Sequence, residues 1–409
     1  MLRLIRWCRA LVYLAISLTG ACWLRRTRGD HLALYGYYGA ADDSPIRNIG
    51  DNAILISMLE QMQSIDIPKL IFVFDKEGKY ATYGEEYQIH APGWRRLMVW
   101  LPIIARTRVF IMGGGGMLQD YTGGGGTTSF LCALNLLFRL AGRKIMWYSS
   151  GIGPLASRKA RQCTGWAARA ATMITVRDSR SRELLEELGV PACKVVATTD
   201  PTFGLLPPVK NTIPTKEEII RRVGLSVLPF YRVSGIDPTG DRRIVEEYRK
   251  FIRYLANRNI QVTLVAFDNS QDRQICENIL TGNHVQNVNI AGIGTSPQDM
   301  LRVYQNCDAV LAMRLHSLIF GLIAGVPTGA VIYHPKVRAL VNKFQLERYA
   351  CELGEMTAEH LMGILQALGE DQAAYRERMA PLVAAERELL RQNDAILRQL
   401  IGADDGDAA

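Results

Sequence analysis

Three short strings in this 409-residue chain bring together residue types that handle anions and protons. In AMRLHSLIFGLIAGVP, Arg314 and His316 stand two apart, directly after an apolar run. Arginine offers a planar fork to carboxylate or phosphate, and histidine exchanges a proton near neutral pH. On an extended segment, side chains at i and i+2 point the same way, so the pair is expected to converge on one anion. Changing Arg314 or His316 should then cost rate rather than stability. The structural alternative is a satisfied buried histidine beside an arginine held in an internal ion pair. Further on, YHPKV places Lys336 after another apolar run as a second cation for the same anion; alone it would read as a surface lysine.

The other two strings read as hydrogen-bonding sites. In NIGDNAIL, Asn48, Gly50 and Asp51 stand at the expected start of a helix, where Asp51 either meets a ligand or only caps the helix, a role worth about 1 kcal/mol. In GGGGMLQD, Gly114 and Gly115 allow close approach of backbone to a ligand, and Gln119 with Asp120 offers bonds to sugar hydroxyls. No Gly-Lys-Ser/Thr follows, and the G-x-G-x-x-G spacing is missing, so neither a P-loop nor a dinucleotide fingerprint is present. No His, Cys or Asp cluster has metal-ligand spacing, and no metal is expected.

The elements that must position these residues follow one rhythm. HLALYGYYG, AILISMLEQMQ, KLIFVF, RVFIMGGGG, SFLCALNLLFRLAG and KIMWYSSGIG alternate strand-like and helix-like character, which predicts a parallel sheet. Ligands bind such sheets at the carboxyl ends of the strands, where all three strings fall. LLPPVKNTIPT breaks the rhythm and predicts a linker over residues 206–216, after which the alternation restarts. The expected fold class is α/β, with two Rossmann-like domains facing a cleft, over residues 31–205 and 217–350. Helices bracing the two lobes are expected over 351–400, and a disordered acidic tail over 401–409.

Bulk properties narrow the partners. A chain this long, with 48% apolar residues, calls for more than one core. A net charge of +8 favours anionic partners. The cations neither form one block nor interleave with aromatics, and zinc-finger spacing is absent, so nucleic acid is not an expected partner. Eight cysteines lie scattered without a C-x-x-C pair, the pattern of reduced thiols on the cytoplasmic side of a membrane. Residues 1–30 set Arg3, Arg6 and Arg9 before an apolar run and Arg25, Arg26 and Arg28 after it. The run is shorter than the roughly 20 residues that span a bilayer. A peripheral helix on an anionic membrane face is expected, with a helix packed on the protein as the alternative.

Taken together, YGYYG with NIGDNAIL, GGGGMLQD, YSSGIGPL, VRDSRSRELLEELGV, TTDPTF, AMRLHSLIFGLIAGVP and YHPKV resemble the successive signatures of the polysaccharide pyruvyl transferases, in order and in spacing. The resemblance implies a two-lobed GT-B-like fold with the acceptor on the N-terminal domain and the donor on the C-terminal one. It implies transfer from phosphoenolpyruvate, with no further cofactor, onto two hydroxyls of a soluble or lipid-linked glycan to form a cyclic ketal. Arg314, His316 and Lys336 would hold the donor's anionic groups, with His316 as proton donor. Asp51 or Asp120 would orient or deprotonate the acceptor, with Asn48, Gly50, Gly114, Gly115 and Gln119 beside them. Leu228 stands where the family often has arginine, which makes Arg232 the substitute cation, and His334 replaces a usual aspartate. Two other readings share the fold. A nucleotide-sugar glycosyltransferase would need a carboxylate to clamp the ribose, which the stretch from His316 to Pro327 lacks. A non-catalytic assembly protein would tolerate Leu228.

Overall fold

The structure, a computed structural model, describes residues 20, 24, 29–36, 48–73, 88–90, 100–120, 126–208, 219–237, 239–268, 270–281, 287–292 and 295–402. These fall in two compact units. The first takes its residues from 1–40, 54–201 and 388–409, the second from 41–53 and 202–387.

Unit one is a parallel sheet of β1 (His31–Gly36), β2 (Lys69–Val73), β3 (Gln88–His90), β4 (Thr107–Met112), β5 (Gly115–Leu118), β6 (Lys144–Ile152), β7 (Met173–Val176) and β8 (Val195–Ala197). The order is β3-β2-β1-β4-β6-β7-β8, with β5 paired to β6. Strands such as β4 (TRVFIM) and β6 (KIMWYSSGI) are apolar along most of their length because helices cover both faces. Between the strands run α1 (Ile49–Gln61), α2 (Trp100–Arg106), α3 (Gly126–Leu140), α4 (Arg158–Ala170) and α5 (Ser179–Glu187). One face packs against α2 to α5, where Phe110 and Phe138 stack at 4.1 Å. GGGGMLQD is partly strand: Gly115 and Leu118 align with Ser150 and Ile152 of β6.

Unit two holds β9 (Arg222–Ser226), α6 (Phe230–Val233), α7 (Thr239–Ala256), β10 (Gln261–Val265), α8 (Gln271–Leu280), β11 (Val288–Ala291), α9 (Pro297–Gln305), β12 (Ala309–Ala312), α10 (Leu315–Ile323), β13 (Thr328–Ile332), α11 (Pro335–Lys343), β14 (Ala350–Glu352) and α12 (Ala358–Glu370). Its parallel sheet runs β11-β10-β9-β12-β13-β14. That is the doubly wound order, and it reverses between β9 and β12, where such sheets open a crevice for ligands.

Three boundaries differ from the sequence expectation. The start of α1 belongs to unit two rather than to the N-terminal domain, because the Ile49 N–H donates to the Phe267 carbonyl at 2.9 Å and Asn48 bridges Asp268. The chain passes between units at Pro201 and Thr202, ahead of the expected linker, of which residues 209–216 lie outside the described residues. The last helix, α13 (Gln372–Gly402), changes units at Glu388, and residues 403–409 of the expected tail lie outside the described residues.

The end of α13 completes unit one. Leu397 and Leu400 fill the second sheet face with Leu34, Ile111 and Tyr148. The β6–β7 register shifts between Trp147 and Ser150, and Ser149 there has φ +45°. Side chains make up for the interrupted ladder. The Ser149 N–H donates to Thr175 Oγ1 at 2.6 Å, Asn393 Nδ2 donates to Ser149 Oγ at 2.9 Å, and the Thr175 hydroxyl donates to Asn393 Oδ1 at 2.5 Å.

Of the N-terminal segment expected on a membrane, residues 1–19, 21–23 and 25–28 lie outside the described residues. Leu24 is buried in the core of unit one, and its carbonyl accepts from Arg143 Nη2 at 3.1 Å. At least this part of the segment belongs to the fold, so a truncation that spares the fold ends before Gly20. No described helix is long and apolar enough to cross a membrane.

Candidate functional site

In unit two, β12 is wholly buried and delivers Arg314 to the carboxyl edge of the sheet at the switch point. Arg314 is the N-cap of α10, with extended backbone (φ −75°, ψ 141°), and His316 lies in the first helical turn. The two therefore do not share an extended segment, as the sequence suggested. Arg314 Nε donates to Asp272 Oδ2 at 2.9 Å, and its Nη2 pairs with Oδ1. Asp272 is fully buried in the first turn of α8, and its Oδ2 also accepts the N–H groups of Phe267 (3.1 Å) and Asp268 (3.0 Å). Burial works against charge on Arg314, yet the Asp272 carboxylate outweighs it and holds the guanidinium pKa above its ordinary value. The Nε–Nη2 edge is thus committed to Asp272, and Nη1 has no partner among the described residues.

His316 meets the other string directly. The imidazole lies so close to Gly50 that a Cβ there would fall 2.0 Å from Nδ1. Glycine at 50 is a packing requirement set by that ring. Asn48 Oδ1 accepts the Gly50 N–H at 3.0 Å, so the capping role weighed for Asp51 is filled by Asn48. Asp51 sits half-buried inside the first turn of α1.

Lys336 follows β13 in the first turn of α11, half-buried, with Nζ 5.9 Å from the Tyr333 ring centroid. Its N–H donates to His334 Nδ1 at 3.2 Å, so His334 caps α11 as an aspartate would. Leu228 is buried and its N–H donates to Met313 Sδ at 3.4 Å. Arg232 does not take its place. Exposed on α6, it donates to Gln274 Oε1 at 2.7 Å and lines a cavity of about 410 Å³ with Asp241, Arg242, Val245 and Ile275.

In unit one the glycine string serves the fold. The Gly114 N–H donates to Met58 Sδ at 3.4 Å, a Cβ there would lie 2.8 Å from Pro201 Cγ, and Gly115 has φ +93°. The Gln119 carbonyl accepts from Thr128 Oγ1 at 2.6 Å. Asp120 Oδ1 and Oδ2 accept the N–H groups of Ala156 (2.6 Å) and Ser157 (2.7 Å), just ahead of α4. Burial would raise the Asp120 pKa, but the Ser157 and Ala156 donors outweigh it and hold the carboxyl below its ordinary value. A lowered pKa makes a weak base and a good anchor. The stabilisation is complete above the unfolded carboxyl pKa of about 3.9 and is lost as pH falls through the lower folded value. Asp120→Asn should therefore lower the unfolding free energy by about 1–2 kcal/mol at pH 7, with the gap to the parent closing below about pH 4 in urea titrations.

Two site-edge groups escaped the sequence expectation. Arg177 follows β7 and pairs with the nearly buried Asp200 at 2.7 Å, its Nε lying where a Cβ on Gly151 would be 2.5 Å away. Asp272 is the other. The basic-acidic pair in VRDS and the aspartate in TTDP were the available signals for the first; an aspartate inside QDRQIC gave none for the second. Among the described residues no group of His, Cys, Asp and Glu could hold a metal ion.

Two doubly wound parallel units, each with helices on both faces, define a protein with two Rossmann-like domains of the GT-B type. Solved structures agree at the level of fold. Anabaena HepE in complex with UDP covers 91% of this chain and 100% of its own at 12% identity and TM-score 0.57. Sucrose-phosphate synthase from Thermosynechococcus elongatus covers 91% and 100% at 13% identity and TM-score 0.56. UDP-GlcNAc 2-epimerase from Methanocaldococcus jannaschii covers 82% and 92% at 9% identity and TM-score 0.54. The profile of the polysaccharide pyruvyl transferases matches residues 48–335, and the chain belongs to that family. The amylovoran biosynthesis protein AmsJ of Erwinia amylovora is 22% identical over 308 residues, 71% of this chain and 72% of AmsJ. The protein is a polysaccharide-modifying transferase.

Proposed function

We propose that the protein moves the enolpyruvyl-derived unit of phosphoenolpyruvate onto two hydroxyls of one sugar in an exported or cell-envelope polysaccharide, forming a cyclic ketal and releasing phosphate. The observation that carries this reading is the meeting of the NIGD and RLH strings in unit two, with the His316 ring against Gly50 and Arg314 fixed beside it.

Ketal formation adds a proton to the donor's methylene carbon, turning it into a methyl group. One sugar hydroxyl bonds to the adjacent carbon, the C–O bond to phosphate breaks, and the second hydroxyl closes the ring. Of the two hydroxyl protons, one balances the proton taken up by carbon and the other leaves with phosphate. His316 is assigned as the proton donor, and Asp51 as the group that receives or orients the hydroxyl proton. Arg314 presents Nη1 to a donor oxygen while Asp272 fixes the plane of its guanidinium. Lys336 adds charge at the start of α11, and the amino ends of α10 and α11 favour an anion at the same edge. Asn48 and Gly50 shape the approach to the imidazole. In unit one, Gln119 is assigned to the acceptor glycan, with Gly114, Gly115 and Asp120 positioning its strand.

Structural neighbours that hold UDP raise the nucleotide-sugar alternative, but α10 (LHSLIFGLI) carries no carboxylate for a ribose diol. The deciding experiment incubates the full chain with a panel of soluble and lipid-linked glycans, adding either phosphoenolpyruvate or UDP-sugars. Phosphate release with a mass gain of one pyruvyl ketal is expected. Sugar transfer from UDP-sugars, or silence with every donor, overturns the reading. The same proposal places the reaction on the cytoplasmic face of the membrane, without a cofactor and without nucleic acid.

A further inference from the structure

One helical face of unit one departs from ordinary surface composition. Helices α3 and α4 pack against each other in the same layer. Both lead from the carboxyl edge of the parallel sheet back to its amino edge, so their last turns lie at the same end. There each exposes a large apolar side chain followed three residues later by an arginine: Leu136 with Arg139 on α3, and Trp166 with Arg169 on α4. Trp166 is 56% exposed. At its other end, in the first turn, α4 adds Arg158, Lys159 and Arg161, and neither helix contains an acidic residue. Arg161 is held by Glu187 at 2.9 Å, and Arg169 Nη1 by the Leu188 carbonyl at 2.6 Å. Arg139, Arg158 and Lys159 have no ionic partner among the described residues.

We propose that this face docks the protein on anionic lipid headgroups, with Trp166 and Leu136 at headgroup depth and Arg139, Arg158 and Lys159 on the phosphates. Tryptophan at the edge of a cationic face suits an interface that is apolar on one side and wet on the other. Charge complementarity selects a lipid surface, because two adjacent helices that carry cations and no acidic residue of their own fit a diffuse sheet of negative charge better than a patterned protein partner. One residue of the chain's basic-apolar N-terminal sequence, Leu24, shares a core with α3 and α4. The proposal is independent of the donor assignment, and its test reads binding rather than turnover.

The full chain is sedimented with vesicles of phosphatidylcholine alone or mixed equally with phosphatidylglycerol. Binding only to the anionic vesicles is expected, weakening with salt. Arg158→Glu/Lys159→Glu should bind roughly thirtyfold more weakly, about fivefold per cation removed. Vesicles with brominated acyl chains should quench tryptophan emission of the parent more than that of Trp166→Phe, which separates Trp166 from Trp7 and Trp23 near the N-terminus. All substitutions are on the surface, and an unchanged urea midpoint confirms the fold. Failure to bind anionic vesicles overturns the proposal. So does binding that the double charge reversal leaves intact, and so does binding without Trp166-dependent quenching; either of these assigns the face to an acidic protein partner or to none.

Discussion

Gly50→Ala is expected to lower turnover nearly as far as His316→Ala does, while the protein stays folded. Loss of a proton donor costs roughly 10²–10⁴ in kcat, with a smaller change in donor affinity. A methyl group at position 50 would occupy space 2.0 Å from the imidazole Nδ1, far inside contact distance, so the ring must leave its position. Gly50 lies in a helix with no positive φ, where alanine is favoured by about 1 kcal/mol, which offsets part of the steric cost. A double-mutant cycle isolates the mechanism. Once His316→Ala has removed the ring, Gly50→Ala should cost almost nothing further. Parental turnover by Gly50→Ala would remove His316 from the chemistry. Additive losses would show that Gly50 acts through something other than the imidazole.

Asp272→Asn should destabilise the protein by about 3–5 kcal/mol, and Arg314→Ala by a similar amount, because either change leaves a buried group without its counter-charge. The sequence expectation that an Arg314 change costs rate alone is revised by the pairing with Asp272. Arg314→Lys keeps the charge but cannot span both carboxylate oxygens, so it should lose stability and rate together. Equilibrium urea unfolding of the three variants checks this. A midpoint within error of the parent for Asp272→Asn would mean that the pair contributes nothing to the fold. Replacing both partners, Asp272→Leu with Arg314→Met, should recover much of the stability while activity stays lost. That outcome would separate the pair's part in folding from Arg314's assigned part in holding the donor.

The alternation of apolar runs was enough to foresee two doubly wound sheets, because a parallel strand covered on both faces must be apolar along most of its length, as β4 is, or throughout, as β12 is. The chemistry-bearing strings were visible because each follows such a strand. Their grouping was not visible. Asn48 and Gly50 precede most of unit one in the chain, yet they fold with Phe267, Asp268 and His316. Nothing in local periodicity records a pairing across so many residues. Nothing in the sequence around Asp272 sets it apart from Asp299, yet Asp272 is buried against Arg314 while Asp299 stays exposed at the start of α9. The glycines at 114 and 115 were read as room for a ligand. They serve Met58, Pro201 and a left-handed backbone, and a glycine in a sequence does not say whose atoms need the space.

The return of α13 into unit one sets a schedule for the newborn chain. Asn393 lies 244 residues after Ser149, the hydroxyl to which it donates. At about 5–20 residues per second, synthesis separates the two by roughly 10–50 seconds. Throughout that interval the sheet face formed by Leu34, Ile111 and Tyr148 lacks Leu397 and Leu400. The nascent first unit therefore waits with an open apolar face and an incomplete hydroxyl cluster until Asn393, Leu397 and Leu400 have been made. A stop codon or frameshift only slightly upstream of Asn393 would make that waiting state permanent, leaving a protein that retains nearly every residue of the assigned site and is a target for chaperones and proteases.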